Sequence, residues 1–415
     1  MWKNTATKEE QRRLLARRLA YVLVVLVLML AAYFYGRSES PAGVSAENRE
    51  SVALYAEALE TVDEDYVGQE DIDPKKQTYG AIEGMIETLE DEGHTRFLSP
   101  EEIEQSRQGL SSTYVGVGIK LNDKDGEVVV TSPIADSPAE EAGIESGDVL
   151  VAVDGESVQE ENIKEIGDKV RGPEGTEVAL TMLRDEEERD FNVERAELEV
   201  SAASWSLIPG TDVAHLRLTS FSENSAEKLA EATAEARAAG AERFVLDLRD
   251  NSGGLVSQAE DVAAQFLPAG STVFIRKEAD AEQEATYVPD GNEPLDAPLA
   301  VLVNEGSASS AEIVAGALRD NERARVVGET TFGTGTVLDE YSLSDGSAIL
   351  LGIAEWLTPS GDFIRESGIE PDVEVSLEEG QEPHTPEEST DLSKEEVFGQ
   401  DAQLERAFAV LQEGE

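Results

Sequence analysis

The stretch that most constrains this chain runs from Leu299 to Arg319. Five apolar residues, Leu299-Ala300-Val301-Leu302-Val303, form a run typical of a strand buried on both faces. A loop of small residues follows, Asn304-Glu305-Gly306-Ser307-Ala308-Ser309-Ser310, and the pattern then predicts a helix from Ala311 to Arg319. A strand, a short turn and a helix in that order build an α/β layer. The turn also sets a hydroxyl at a helix N-terminus, where free backbone N–H groups and the dipole favour an oxyanion. Ser309 is therefore a candidate nucleophile. The competing reading is structural, because Ser309-x-x-Glu312 fits a capping box and would start the helix without any chemistry.

Charge narrows the partners. With 88 acidic against 33 basic residues the formal charge is −55, which excludes a nucleic-acid binder and repels anionic lipid surfaces. The acidic residues are spread along the whole chain, as expected of a surface adapted to high salt, where self-repulsion is screened. There is no cysteine, and His94, His215 and His384 lie too far apart for a histidine-pair zinc motif. Asp123-x-Asp125-Gly126 fails as a calcium loop, since Leu121 and Ser132 would fill its first and last positions. No metal and no cofactor are expected.

At the N-terminus, Lys3, Lys8, Arg12, Arg13, Arg17 and Arg18 precede an uncharged run from Leu19 to Tyr35. Such a run spans about 25 Å as a helix, near the lower limit for crossing a bilayer. Residues 1–18 read as a basic cytoplasmic segment and 19–35 as a transmembrane signal anchor. The expected location is the cell membrane, single-pass, with the bulk of the chain extracytoplasmic. A cleaved signal peptide is the alternative, but Tyr33-Phe34-Tyr35 stand where a small-x-small site would end the apolar core.

Residues 36–46 form a polar linker with Pro41 and Gly43, and 47–112 read as helical, with Leu54, Ala58, Leu59 and Val62 at helical spacing. From 113 to 200 the chain alternates in short segments (Glu127 to Thr131, Val149 to Val153, Glu177 to Leu183), with a helix expected from Asn162 to Val170. In 201–375 a strand (Val213 to Leu218) leads to a helix (Ser225 to Ala239) stopped by Gly240, then a strand (Arg243 to Leu248) ending in Asp250-Asn251-Ser252-Gly253-Gly254. A helix (Ser257 to Phe266), the Ser309 unit, a strand at Arg325-Val326-Val327 and a β-rich tail with a turn at Asp345-Gly346 complete it. Residues 376–395 read as an acidic, disordered linker and 396–415 as a terminal helix.

These motifs together resemble the C-terminal processing, or tail-specific, peptidases: serine enzymes with a PDZ domain and a Ser–Lys dyad. Gly306-Ser307-Ala308-Ser309-Ser310-Ala311-Glu312 is similar to that family's G-S-A-S-A-S-E loop, which implies Ser309 as nucleophile. Thr331-Phe332-Gly333-Thr334-Gly335-Thr336-Val337-Leu338 resembles T-F-G-K-G-T-V-Q, so Thr334 holds the place of the basic lysine and Leu338 that of its orienting glutamine. Asp247-Leu248-Arg249-Asp250-Asn251-Ser252-Gly253-Gly254 resembles D-L-R-x-N-P-G-G, which implies an oxyanion hole from the N–H of Gly253 or Gly254 and that of Ser310. His94 matches a family histidine outside the dyad. Ala142-Gly143-Ile144-x-x-Gly147-Asp148 and the turn from Arg171 to Thr176 resemble a PDZ domain, in which Gly116, Val117, Gly118 and Ile119 would bind a peptide's terminal carboxylate.

The resemblance runs from about Val52 onward. It implies a ClpP/crotonase-like α/β core with an inserted PDZ-like β domain and an N-terminal helical segment, to which the apolar run at 19–35 adds the single N-terminal transmembrane helix. It also implies unfolded or C-terminally exposed proteins as substrates, and leaves room for a homo-oligomer. Two functions follow. One is an endopeptidase that docks a C-terminus in the PDZ groove and cuts at Ser309. The other is an inactive pseudo-peptidase acting as an adaptor, because threonine is no base near pH 7 and leucine cannot hydrogen-bond, whereas a desolvated lysine could take the serine proton.

Overall fold

The computed structural model describes residues 45, 48–89, 91, 94–124, 126–134, 137–158, 161–184, 187–199, 201–278, 282–378, 380–389 and 392–413. The basic segment and the apolar run expected to cross the membrane lie outside the described residues. Among the described residues, no helix is long and apolar enough to span a bilayer.

The chain divides into two units, 1–80 and 81–415. The first contains α1 (Arg49–Asp65), in which no residue is buried, and a 3-10 turn at Gln69–Asp71. Helix α2 (Pro74–Glu87) carries the chain into the second unit. There β1 (Arg96–Leu98) precedes α3 (Pro100–Leu110), whose start is a capping box between Ser99 and Glu102.

The inserted domain comprises β2 (Thr113–Gly116), β3 (Ile119–Lys124), β4 (Glu127–Pro133), α4 (Pro138–Glu141), β5 (Val149–Val153) and β6 (Glu156–Ser157). It continues through α5 (Ile163–Val170), β7 (Glu177–Arg184), β8 (Glu187–Glu194) and β9 (Ala196–Glu199). The sheet order is β3-β4-β5-β7-β8, with β6 on β5, while β2 and β9 pair separately. Alternation decides the facing, since Val178, Leu180 and Met182 of β7 all point into a core shared with Ile166 and Val170 of α5.

The α/β core follows with β10 (Ala203–Leu207), β11 (Val213–Leu218), α6 (Ser225–Ala238), β12 (Arg243–Asp247), α7 (Val256–Ala264), β13 (Thr272–Lys277) and β14 (Glu284–Tyr287). Then come β15 (Leu299–Val303), α8 (Ser310–Asp320), β16 (Arg325–Gly328), β17 (Thr336–Ser342), β18 (Ala348–Leu357), β19 (Val373–Glu374), α9 (Lys394–Gln400) and α10 (Ala402–Glu413). One sheet has the order β10-β11-β12-β15-β16-β19, parallel from β11 onward. A second runs β1-β18-β13-β14, with β17 also on β18. Strand β15 shows why an all-apolar run was required. Leu299, Val301 and Val303 pack with α6, α7 and α8, while Ala300 and Leu302 pack with α9 and α10 on the other face. Gly240 stops α6 at φ 103°, with the Ala241 N–H donating to Ala236 O at 2.9 Å, as in a Schellman cap.

The acidic stretch 376–395 is not the solvated linker that its composition suggests. His384 and Ser389 are buried, and Pro386–Ser389 forms a 3-10 turn. A few bonds anchor it: the His384 N–H donates to Asp401 Oδ2 at 3.0 Å, and His384 Nε2 meets Ser389 Oγ at 3.0 Å. Burial pushes His384 below the ordinary imidazole value, against the pull of Glu388. The unfolded chain therefore takes up a proton near pH 6.5 that the folded chain resists, and stability falls as the pH drops through that region. His384→Gln is expected to flatten the acid limb of the urea midpoint against pH. An unchanged limb would assign it to other groups.

Candidate active site

Ser309 stands at the junction of the loop and α8 with φ 54°, a left-handed backbone that a serine adopts only where its surroundings impose it. Those surroundings are the loops after β12 and β15, laced together. Ser307 Oγ donates to Leu248 O at 2.7 Å, the Ala308 N–H to Asn251 O at 2.9 Å, and Ser310 Oγ to Gly254 O at 3.0 Å. Asn304 and Asp250 bond each other twice, at 2.8 and 2.9 Å. Gly253, at φ 98°, lies so close that a Cβ there would come within 2.7 Å of Ser309 Cβ. Only glycine fits.

Glu312 does more than cap the helix. Its buried carboxylate accepts four hydrogen bonds: from Ser309 N (2.8 Å), Thr331 Oγ1 (2.5 Å), Gly333 N (2.7 Å) and Thr334 N (3.0 Å). Four donors fill the lone pairs of a carboxylate, so Glu312 staples the 331–334 loop onto α8 and has no acceptor capacity left for the Ser309 proton. Thr334, the lysine position, is buried, and its Oγ1 accepts the Ser309 N–H at 3.2 Å. Leu338 sits half-buried on β17, just past a bulge and opposite Gly352. His94 packs edge-on against Phe332 with ring centroids 6.4 Å apart, and Lys277 Nζ bonds Glu355 at 2.7 Å.

For an oxyanion, the Gly253 N–H is already committed to Asn251 Oδ1 at 2.9 Å. Among the described residues the Gly254 N–H is not engaged, and the Ser310 N–H lies in the first turn of α8, where no carbonyl of the helix reaches it.

In the inserted domain, Val117 O accepts from Ala139 N, and Gly118 O from Ile134 N, both at 2.8 Å. Trans peptides point C=O and N–H in opposite directions, so the N–H groups of Gly118 and Ile119 face away from that segment. Strand β3 is an edge of its sheet, beside α5, with half-buried Ile119 and Leu121 along it. Strand addition requires an open sheet edge, and carboxylate capture requires outward N–H groups; both features are present at β3.

Comparison with known proteins agrees. Residues 212–375 match the model of peptidase family S41, and 129–184 match a PDZ domain model. A protein of Staphylococcus haemolyticus described as "Probable CtpA-like serine protease" is 33% identical over 356 residues, covering 86% of this chain and 71% of the relative. The chain belongs to peptidase family S41. The Staphylococcus epidermidis relative of the same description is 35% identical over 340 residues, covering 82% of this chain and 68% of its own. The solved photosystem II D1 C-terminal processing protease is 29% identical, covers 81% of this chain and 94% of its own, and superposes with a TM-score of 0.46.

Beneath the glycine loop of this S41 chain lies a buried network that the sequence motifs do not reveal. Arg249 Nε and Nη2 bond Asp247 at 2.9 and 2.7 Å, and Nη1 and Nη2 reach Asp401 at 3.0 and 2.8 Å. His215 Nε2 meets Asp247 Oδ2 at 2.9 Å, and Gln403 Oε1 accepts from Arg249 Nη1 at 2.9 Å. All five residues are completely buried. Burial alone would raise Asp247, but Arg249 and His215 outweigh it and hold the carboxyl well below the usual range. The only sequence signal was local, the spacing of Asp247 and Arg249; Asp401 lies far along the chain.

Proposed function

We propose that this S41 protein is membrane-anchored, faces outward, and captures protein C-termini in its PDZ groove, with its hydrolytic step held back for want of a general base. The observation that carries this reading is the set of groups around Ser309. Thr334 offers a hydroxyl and Glu312 a carboxylate whose lone pairs are all taken. The placement of Ser309 at φ 54° and the glycine loop support the competing reading, an active endopeptidase. The basic segment and apolar run at the N-terminus support the anchor.

The apolar lining of β3 favours an apolar terminal residue. The full chain is expected to bind a labelled peptide ending in Leu or Val with a free carboxylate, and to lose about tenfold or more in affinity when that carboxylate is amidated. Equal binding of both peptides, measured by fluorescence anisotropy, would remove the C-terminal mode. Gly118→Ala should weaken binding similarly, because φ is 85° and a Cβ would overlap Ser137. An alkaline wash that strips the full chain from isolated membranes would refute the anchor.

A further inference from the structure

The 3-10 turn Pro386–Ser389 packs across β10 and β11 and carries a serine with a base beside it. His384 Nε2 stands 3.0 Å from Ser389 Oγ, and His384 Nδ1 lies 3.5 Å from Glu388 Oε2. The chemistry of the partners sets the direction of these contacts. An ionised carboxylate only accepts, so Nδ1 carries the ring proton and Nε2 presents its lone pair to the Ser389 hydroxyl. The carboxylate is itself held by the Thr385 N–H at 2.8 Å. His384 and Ser389 are only 2% and 8% exposed, so little water competes for the pair. Burial holds the imidazole below its ordinary value, with His215 adding to the effect and Glu388 and Asp401 opposing it, which leaves it neutral and able to take a proton. A fastening role needs only the bond between His384 and Ser389. A nucleophilic site requires in addition a carboxylate behind the ring and room for a substrate. Both are present. Thr385 and Glu388 line a cavity of about 570 Å³, together with Arg217, Asp250 and Glu305. Among the described residues Arg217 Nη1 is buried with no hydrogen-bond partner, a donor suited to an oxyanion.

We propose that Ser389, His384 and Glu388 form a second acyl-transfer site, distinct from Ser309, that hydrolyses small esters carrying a positive charge. His384 Nε2 takes the hydroxyl proton as Ser389 Oγ bonds to the acyl carbon, and the Arg217 Nη1–H receives the oxyanion. The bond from that carbon to the leaving alcohol then breaks, and the proton passes from Nε2 to the alcohol oxygen. A water molecule, deprotonated by the same imidazole, attacks the acyl-serine, releases the acid and restores the Ser389 hydroxyl. Charge names the substrate class. Asp250, Glu305, Glu329, Glu378 and Glu382 line the cavity, and Arg217 is the one cation among its described lining residues. Such walls draw in a cationic ester and repel an anionic one.

The full chain, in detergent, is treated with diisopropyl fluorophosphate, and the modified residue is located by peptide mass spectrometry. In that reaction an activated Oγ bonds to phosphorus, fluoride leaves, and the hydroxyl proton goes to the base. Label on Ser389 is expected. It should vanish in Ser389→Ala and form about 10²-fold more slowly, or slower still, in His384→Gln. A cooperative urea transition is required of every chain, so that a failure to fold is not read as a loss of chemistry. Label confined to Ser309, or no label on a folded chain, would overturn the site. Undiminished labelling of Ser389 in folded His384→Gln would remove the base from it. For the substrate class, the 4-nitrophenyl esters of N-acetyl-lysine and N-acetyl-glutamate are compared at low salt. The lysine ester should be hydrolysed about tenfold faster or more, by Ser389 alone, and the difference should narrow in molar potassium chloride. Equal rates would overturn the cationic class.

Discussion

Thr334→Lys is expected to raise cleavage of an unstructured protein with an apolar C-terminus by about 10²–10⁴-fold over the natural chain, the usual worth of a positioned general base. Position 334 is buried beside Ser309, and its backbone is fixed by the bond from Thr334 N to Glu312 at 3.0 Å. A lysine there would be desolvated, which lowers its pKa towards neutrality and lets it take the serine proton. The substitution gives up the bond between Thr334 Oγ1 and Ser309 N, at a cost of about 1 kcal/mol. Adding Leu338→Gln should increase the gain by orienting the new amine. Ser309→Ala in the same background should abolish it. Cleavage by the natural chain that vanishes in Ser309→Ala would mean that a base acts from elsewhere, and the binder reading would fall.

Much of this was legible in the sequence because the signals are local. Leu299 to Val303 was a buried strand on composition alone, and Gly240 marked the end of α6 because a left-handed cap needs glycine. The Ser309-x-x-Glu312 pattern correctly joined Glu312 to the Ser309 N–H. It could not reveal that the same carboxylate also holds Thr331, Gly333 and Thr334, since those donors arrive only when the loop after β16 folds back over α8. Nor does motif matching distinguish Gly253 from Gly254. The bond from the Gly253 N–H to the Asn251 side chain, which sets the two glycines apart, appears only in the folded loop. The stretch 376–395 misled for a related reason. Its carboxylates do favour water, but His384 and Asp401 suffice to fasten it to the core.

Arg249→Met is expected to destabilise the chain by about 3–5 kcal/mol, the cost of leaving buried charges without their partner. Asp247 and Asp401 are both completely buried and both lean on this one guanidinium. The pH dependence separates this mechanism from simple loss of packing. In the natural chain Asp247 is held below its unfolded value, so it contributes stability at neutral pH that is lost only in strong acid. Without Arg249, burial dominates and the folded-state pKa of Asp247 moves above the unfolded one. The variant's deficit relative to the natural chain should then shrink as the pH falls from 7 towards 5, because a protonated carboxyl no longer needs the cation. Urea denaturation of both chains across that range measures it, and a deficit independent of pH would mean that the guanidinium acts by filling space. Arg249 lies four residues before Gly253, and Asp401 belongs to the segment joining α9 to α10. The same loss should therefore loosen the loop beside Ser309, so Arg249→Met in the Thr334→Lys background should lower kcat more than it raises KM.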